Sequence, residues 1–214
     1  MKKLMGLVVL LVILVTTPAL AEGEKKDTKW FLGAGYIDSE FDTGVSSLTG
    51  TASLDDEDSG FKVFGGYQLN PYVGFELSYA DFGTSTLKGN TGDTFVLNGT
   101  AYEFTRDNAN VEVDTWAATL GAVFSAPLDK ITGKDYLKWV TPFAKVGGFY
   151  WDAEAEATAN GVDRSTDSDD GFDFYYGGGL QINLHRHFAI SGEWIKYNAD
   201  DDIDTLSANV IVRF

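Results

Sequence analysis

The run Thr205-Leu-Ser-Ala-Asn-Val-Ile-Val-Arg-Phe214, where the sequence ends, alternates strictly. Leu206, Ala208, Val210, Val212 and Phe214 fall on one face; Ser207, Asn209, Ile211 and Arg213 fall on the other. A period of two belongs to a β-strand with one oily and one mostly polar side. An aromatic at the end of such a strand is unusual for a soluble domain. It suits a strand whose oily face meets lipid and whose polar face lines a barrel interior.

Seven further segments carry the same period: Lys29–Ile37, Gly60–Leu69, Tyr72–Phe82, Val113–Phe124, Trp139–Trp151, Phe172–Leu184 and Phe188–Tyr197. Their connections alternate in length. Short or modest ones are Asn70-Pro71, Ser125 to Lys138 and His185-Arg186-His187; longer ones are Asp38 to Ser59, Gly83 to Glu112 and Asp152 to Gly171, with a shorter last one at Asn198 to Asp204. Eight strands, an even number, with short turns at one end and long loops at the other, predict an all-β protein. Its expected form is an eight-stranded antiparallel up-and-down transmembrane β-barrel, monomeric, with both chain ends in the periplasm. A soluble periplasmic β-sandwich is the second reading, but it gives no reason for the alternation of loop lengths.

The N-terminus supplies an export address. Lys2 and Lys3 precede an apolar stretch from Leu4 to Val15, then Thr16-Thr-Pro18 and Ala19-Leu20-Ala21. This predicts a signal peptide over residues 1–21, cleaved after Ala21, and a barrel domain over residues 22–214. The stretch is too short for an uncleaved spanning anchor, which needs about 20 apolar residues. The sequence has no Cys, so neither a lipid-modified cysteine nor a disulfide is expected. Removing the two signal lysines leaves 14 basic against 32 acidic residues, a net charge of 14 − 32 = −18. That excludes nucleic acid as a natural partner.

The acidity is concentrated in the predicted outer loops. Asp38 to Ser59 holds Asp38, Glu40, Asp42, Asp55, Asp56, Glu57 and Asp58 with no Lys or Arg, and Asp200, Asp201, Asp202 and Asp204 crowd the last loop. The periplasmic turns instead carry Lys130, Lys134, Lys138 and Arg186 against Asp129 and Asp135. Aromatics divide into two levels on the lipid face. Trp30, Tyr67, Phe124, Phe188 and Phe214 mark the periplasmic side; Tyr79, Trp116, Tyr150, Phe174 and Tyr176 mark the outer one. Amphipathic rings favour the headgroup level, so two belts are expected. Core packing also accommodates aromatics but predicts no such division.

The complementary face lines the lumen: Lys62, Phe64, Glu76, Ser78, Thr119, Lys145, Gln181, Asn183, Ser191, Glu193, Asn209 and Arg213. Side chains just fill an eight-stranded interior, and an unpaired charge there is costly. A structural charge network of Lys62, Glu76, Lys145 and Glu193 is therefore expected to plug the barrel, with Arg213 at the periplasmic rim. A narrow gated pore is the alternative. Clustered glycines (Gly65-Gly66, Gly147-Gly148, Gly177-Gly178-Gly179) fit neither phosphate-binding pattern; they are read as permitting the tight curl of a small barrel.

The stretch Gly60-Phe-Lys-Val-Phe-Gly-Gly-Tyr-Gln-Leu-Asn-Pro-Tyr-Val-Gly-Phe-Glu-Leu-Ser-Tyr79 resembles a strand–turn–strand unit of OmpA-like outer-membrane β-barrel domains. Pro142-Phe-Ala-Lys-Val-Gly-Gly-Phe-Tyr-Trp151 and the terminal Val-Arg-Phe214 resemble the same family. The resemblance implies a bacterial outer-membrane location, paired lumen charges at Glu76, Lys145, Glu193 and Arg213, and an insertion signal at Phe214 read by the barrel-insertion machinery. Larger members append a peptidoglycan-binding domain that this sequence lacks, so no cell-wall tether is expected. Outer-membrane lipids and lipopolysaccharide are the expected surroundings.

Small barrels also include lipid A-modifying enzymes, whose deacylase type needs a His near a Ser and a carboxylate. Here the only histidines, His185 and His187, flank Arg186 in a periplasmic turn, and no H-x-S occurs. A solvated basic turn accounts for them better than a two-His metal site does. Asp167-Ser-Asp-Asp-Gly171 and Asp200-Asp-Asp202 are oxygen-rich but miss the EF-hand spacing. Asn98-Gly-Thr100 fits a glycosylation sequon without an export context that uses it. No catalytic residue, cofactor or metal site is predicted. The expected function is structural or surface-interacting, of an adhesion or colonisation type, through acidic loops and an unidentified surface receptor. A small-solute channel is the alternative and a lipid A-modifying enzyme a remote one.

Overall fold

The computed structural model describes residues 29–160, 162–199 and 202–214. The predicted signal peptide with its cleavage after Ala21, and Asp200 and Asp201, lie outside these residues. Eight long strands form the wall: β1 Trp30–Phe41, β2 Glu57–Asn70, β3 Val73–Gly89, β4 Ala109–Ser125, β5 Val140–Ala159, β6 Val162–His185, β7 Phe188–Asn198 and β8 Ile203–Arg213. Each pairs antiparallel with its chain neighbour, from Tyr36↔Phe61 between β1 and β2 to Ser191↔Asn209 between β7 and β8. Pairing of β1 with β8, from Phe31↔Arg213 to Phe41↔Ile203, closes the ring. Closure leaves no unpaired strand edge, as lipid demands.

The inside-out pattern follows from the period of two. Leu77, Leu120, Leu180, Leu206 and Val210 are more than half exposed and point to lipid, while their strand neighbours are turned inward. The two aromatic levels form on this outer face. Trp30 packs edge-on against Tyr67 at the short-turn end, with ring centroids 4.8 Å apart. At the other end Tyr79 stacks on Trp116 at 5.6 Å, Trp116 meets Tyr150 at a tilt at 5.9 Å, and Tyr176 meets Trp194 at 6.1 Å.

The Asn70-Pro71 turn is tied by its own side chain: Asn70 Oδ1 accepts from the backbone N–H groups of Tyr72 and Val73 at 2.8 and 3.0 Å. Such an Asx turn explains why two strands can reverse in so few residues. The turn from Ser125 to Val140 holds a short helix, Leu128–Thr132, ended by Gly133 in the left-handed conformation.

The wall is taller than the alternating segments suggested. β5 and β6 contain 20 and 24 residues, against the roughly 9–11 that cross a bilayer. Their upper parts, residues 152–159 and 162–171, pair as a ladder with one register shift between Asp163 and Ser165, where the sequence suggested a loop. β3 and β4 likewise continue past the outer belt to Gly89 and down from Ala109. A second small sheet, Val45–Ser46 with Thr94–Leu97 and Thr100–Glu103, folds the tips of the first two outer loops together.

Candidate functional site

The barrel interior is built in layers, starting from four charged side chains on β2, β3, β5 and β7. Lys145 Nζ lies 2.7 and 2.9 Å from the two oxygens of Glu76 and 2.7 Å from Glu193 Oε2. Lys62 pairs with Glu193 Oε1 and sits 4.0 Å from Glu76 Oε1. Ser207 Oγ donates to the same Glu193 oxygen at 3.2 Å. All four side chains are at most 5 % exposed. Two lysines and two glutamates cancel in charge, which is the condition for burying ions at tolerable cost.

Glycines flank the ions. Each charged residue faces a glycine across the ladder: Lys62 opposite Gly35, Glu76 opposite Gly66 and Gly121, Lys145 opposite Gly177 and Glu193 opposite Gly179. A Cβ at Gly35, Gly66 or Gly121 would run into the side chain of Asn209, Phe31 or Tyr175 rather than into the ions, so the bare positions also admit the inner side chains of neighbouring strands. Below the cluster lies the Phe64 ring, with Lys62 and Lys145 Nζ at 5.0 and 5.3 Å from its centroid. Such cation–π contacts add to the pairing without adding charge.

Arg213 is not part of this cluster. It sits at the periplasmic mouth, where its Nη2 donates to Asn183 Oδ1 at 2.9 Å, and Asn183 in turn donates to Thr141 Oγ1 at 3.1 Å. Phe214 closes the ladder through its backbone, exchanging hydrogen bonds with Trp30 at 3.0 and 3.1 Å. Among the remaining predicted lumen residues, Ser78 and Thr119 bond one another at 2.6 Å, and Asn209 donates to Ser191 and Ser207 at 3.2 Å each.

Above the ionic layer the lumen is apolar, which sequence reasoning missed. Ile37, Phe82, Phe149, Tyr175, Tyr197 and Ile203 form one buried cluster. Tyr197 is its hub, with centroids 4.8 Å from Phe82, 5.2 Å from Phe149 and 5.6 Å from Tyr175. The signal lies in Phe172-Asp-Phe-Tyr-Tyr176, where both strand faces carry aromatics. Two cavities flank the closed middle, about 400 Å³ at the periplasmic mouth and about 600 Å³ at the outer one.

His185 and His187 remain in their turn with ring centroids 5.6 Å apart, and His187 Nδ1 meets the Arg213 carbonyl at 2.9 Å. No group of three or more metal-ligating His, Asp or Glu side chains occurs among the described residues.

A closed barrel of eight strands, lipid-facing outside and ringed by aromatics at two levels, is an integral outer-membrane β-barrel protein. The chain belongs to the outer membrane protein beta-barrel domain family, whose sequence profile matches residues 7–214. Outer membrane protein A of Salmonella typhi is 28% identical over 189 residues, covering 87% of this chain and 46% of that protein. Its counterpart in Escherichia fergusonii is 30% identical, with 87% and 46% covered. The chain thus spans about half the length of these curated relatives. Among solved structures, Ail of Yersinia pestis superposes with a TM-score of 0.53 at 18% identity, covering 88% of this chain and 100% of that one. OprG of Pseudomonas aeruginosa does so with a TM-score of 0.54 at 11% identity, covering 88% and 97%. These likenesses show the fold, and with the family they place the protein in the bacterial outer membrane, embedded in its lipids.

Proposed function

We propose that the protein is a sealed, non-enzymatic barrel that acts through its acidic outer rim, in a structural or surface-interaction role of the adhesion or colonisation type. The observation that carries this reading is the double closure of the lumen, an ionic layer under an aromatic one. A barrel closed in this way leaves function to what projects from the membrane. The tall strand walls present Glu154 and Glu156 to solvent there, with Asp55 and Glu57 on the neighbouring rim.

The crystal structure of Ail was obtained in complex with the heparin analogue sucrose octasulfate. The same chemistry does not carry over, because a polysulfate would meet an acidic rim. A neutral or basic surface partner suits this chain better. Lysines 62 and 145, Glu76 and Glu193 then serve as a structural plug, and Phe214 as the signal read by the insertion machinery. Two cavities, one on each side of the ionic and aromatic layers, favour one second reading, a gated small-solute channel.

Planar-bilayer recordings separate the two. The sealed barrel predicts no steady conductance; stable open channels whose amplitude changes in Lys145→Ala would establish the channel instead. Binding of cells carrying outer-loop deletions to candidate surfaces tests the positive half of the proposal. Adhesion that survives every loop deletion would remove the rim from consideration.

A further inference from the structure

The outer cavity differs in character from the periplasmic one. Phe41, Trp151 and Ile203, all buried, make its floor on the aromatic layer, and Leu87, Val113 and Ala155 rise as its walls. The walls belong to the strand extensions above the outer aromatic belt, so the cavity opens to the external medium rather than to lipid. Asp167 and Asp169 line it on β6, opposite Ala155 and Ala153. No Lys or Arg lines it among the described residues. Its volume of about 600 Å³ falls within the roughly 300–1,000 Å³ of small-molecule sites.

Phe95 and Leu97 of the small outer sheet also face the chamber, so its apolar lining continues from the strand walls to the loops without being packed shut. Asp167 and Asp169 on one wall and apolar side chains on the others, with no Lys or Arg among the described lining residues, have a defined complement: an apolar body ending in a positive charge. We propose that the outer vestibule is a binding site for small cationic amphiphiles, namely primary amines carrying a short alkyl or aryl body. The body occupies the space between Trp151, Leu87 and Val113, and the ammonium group lies toward Asp167 and Asp169. This goes beyond the surface-interaction reading and does not depend on it, since a small molecule entering from outside needs neither an open lumen nor a receptor.

Calorimetric titration of the full chain in phosphatidylcholine nanodiscs, with empty nanodiscs subtracted, tests it using hexylamine, hexanol and hexanoate. The expected order of affinity is hexylamine, then hexanol, then hexanoate. Heptylamine is expected to bind about fourfold tighter than hexylamine, the worth of one buried methylene. Asp167→Asn with Asp169→Asn should weaken hexylamine about two- to fivefold, as a solvent-exposed ion pair does, and leave hexanol unchanged. Ala155→Trp and, independently, Val113→Trp fill the chamber and should abolish uptake; circular dichroism of each confirms the barrel. Uptake no greater than that of empty nanodiscs, hexanoate binding as tightly as hexylamine, or hexylamine binding retained in a folded chamber-filling variant would each overturn the proposal. The conductance and adhesion measurements above are unaffected by any of these outcomes.

Discussion

Gly33 lies directly across the ladder from Phe64, and the atoms nearest to a Cβ there would be those of the Phe64 ring. The missing methyl lets that ring lie flat across the barrel, where it floors Lys62 and Lys145. Gly33→Ala is expected to push the ring into the ionic layer and to cost about 1–3 kcal/mol, the usual scale of overpacking. Phe64→Leu in the same background should recover part of the loss in denaturant unfolding; no recovery would mean that the ring is not the obstacle. The ions themselves answer to a different rule. Lys145 is the one cation in close contact with both carboxylates, so Lys145→Met leaves Glu76 with only the more distant Lys62. The expected loss is about 3–5 kcal/mol of unfolding free energy, because a buried charge is left uncompensated. Adding Glu76→Gln removes that charge and preserves the Lys62–Glu193 pair, so the double variant should be more stable than the single one. Equal stabilities would show that Glu76 and Lys145 are not coupled.

The tall wall is an element-scale feature, and so is the fastening of the loops above it. Asp93 Oδ1 accepts from the Thr51 backbone N–H at 3.1 Å, while Oδ2 accepts from the Thr51 hydroxyl at 2.7 Å and the Asn90 N–H at 2.9 Å. One carboxylate thereby ties the first outer loop to the second. The hydrogen bond from the Thr51 hydroxyl, then those from the two backbone N–H groups, hold the Asp93 carboxyl below its ordinary range. A depressed carboxyl stabilises the folded loops above the unfolded value, near 3.9, and its contribution disappears as pH falls through the lower folded value. The Thr51 and Asn90 amide resonances should therefore titrate together with a midpoint below 3.9, and Asp93→Ala should abolish that titration; a midpoint at the ordinary value would show that the fastening does not form. The eight alternating segments were legible because lipid enforces a continuous oily face, as in Leu206 to Phe214. Above the membrane that demand lapses. Asp152-Ala-Glu-Ala-Glu-Ala-Thr-Ala159 still alternates, but its acidic residues look like a solvated loop although they are one face of a strand. The ionic layer was legible for a related reason, since a Lys or Glu at an inward position has nowhere to go but to an opposite charge. Tyr175 and Tyr197 were not, because an aromatic inside the barrel has the same local pattern as one outside it.

At the scale of the whole molecule the charges are separated along the barrel axis. The sequence carries 32 acidic against 16 basic residues, and the basic side chains of the short turns, Lys130, Lys134, Lys138 and Arg186, lie at the end opposite the acidic rim. On the proposed surface-interaction reading, such a barrel meets an oppositely charged partner first through electrostatic attraction, before any contact forms. On the proposed reading the aromatic and ionic layers close the lumen between the two ends, and the rim acts on its own. Capture of cells displaying the protein by a polycationic surface should therefore be faster than capture of cells without it. The advantage should fade between about 0.1 M and 1 M salt, as the screening length contracts from roughly 10 Å to 3 Å. Replacing Asp55→Asn, Glu57→Gln, Glu154→Gln and Glu156→Gln together should remove most of the advantage at low salt, with little effect on the unfolding midpoint, because these side chains are exposed. Capture that is insensitive to both salt and the fourfold substitution would mean that the rim's charge is only a solubilising coat. The interaction surface would then have to be sought on the uncharged hairpin face around Phe95 and Tyr102, which stack at 5.5 Å.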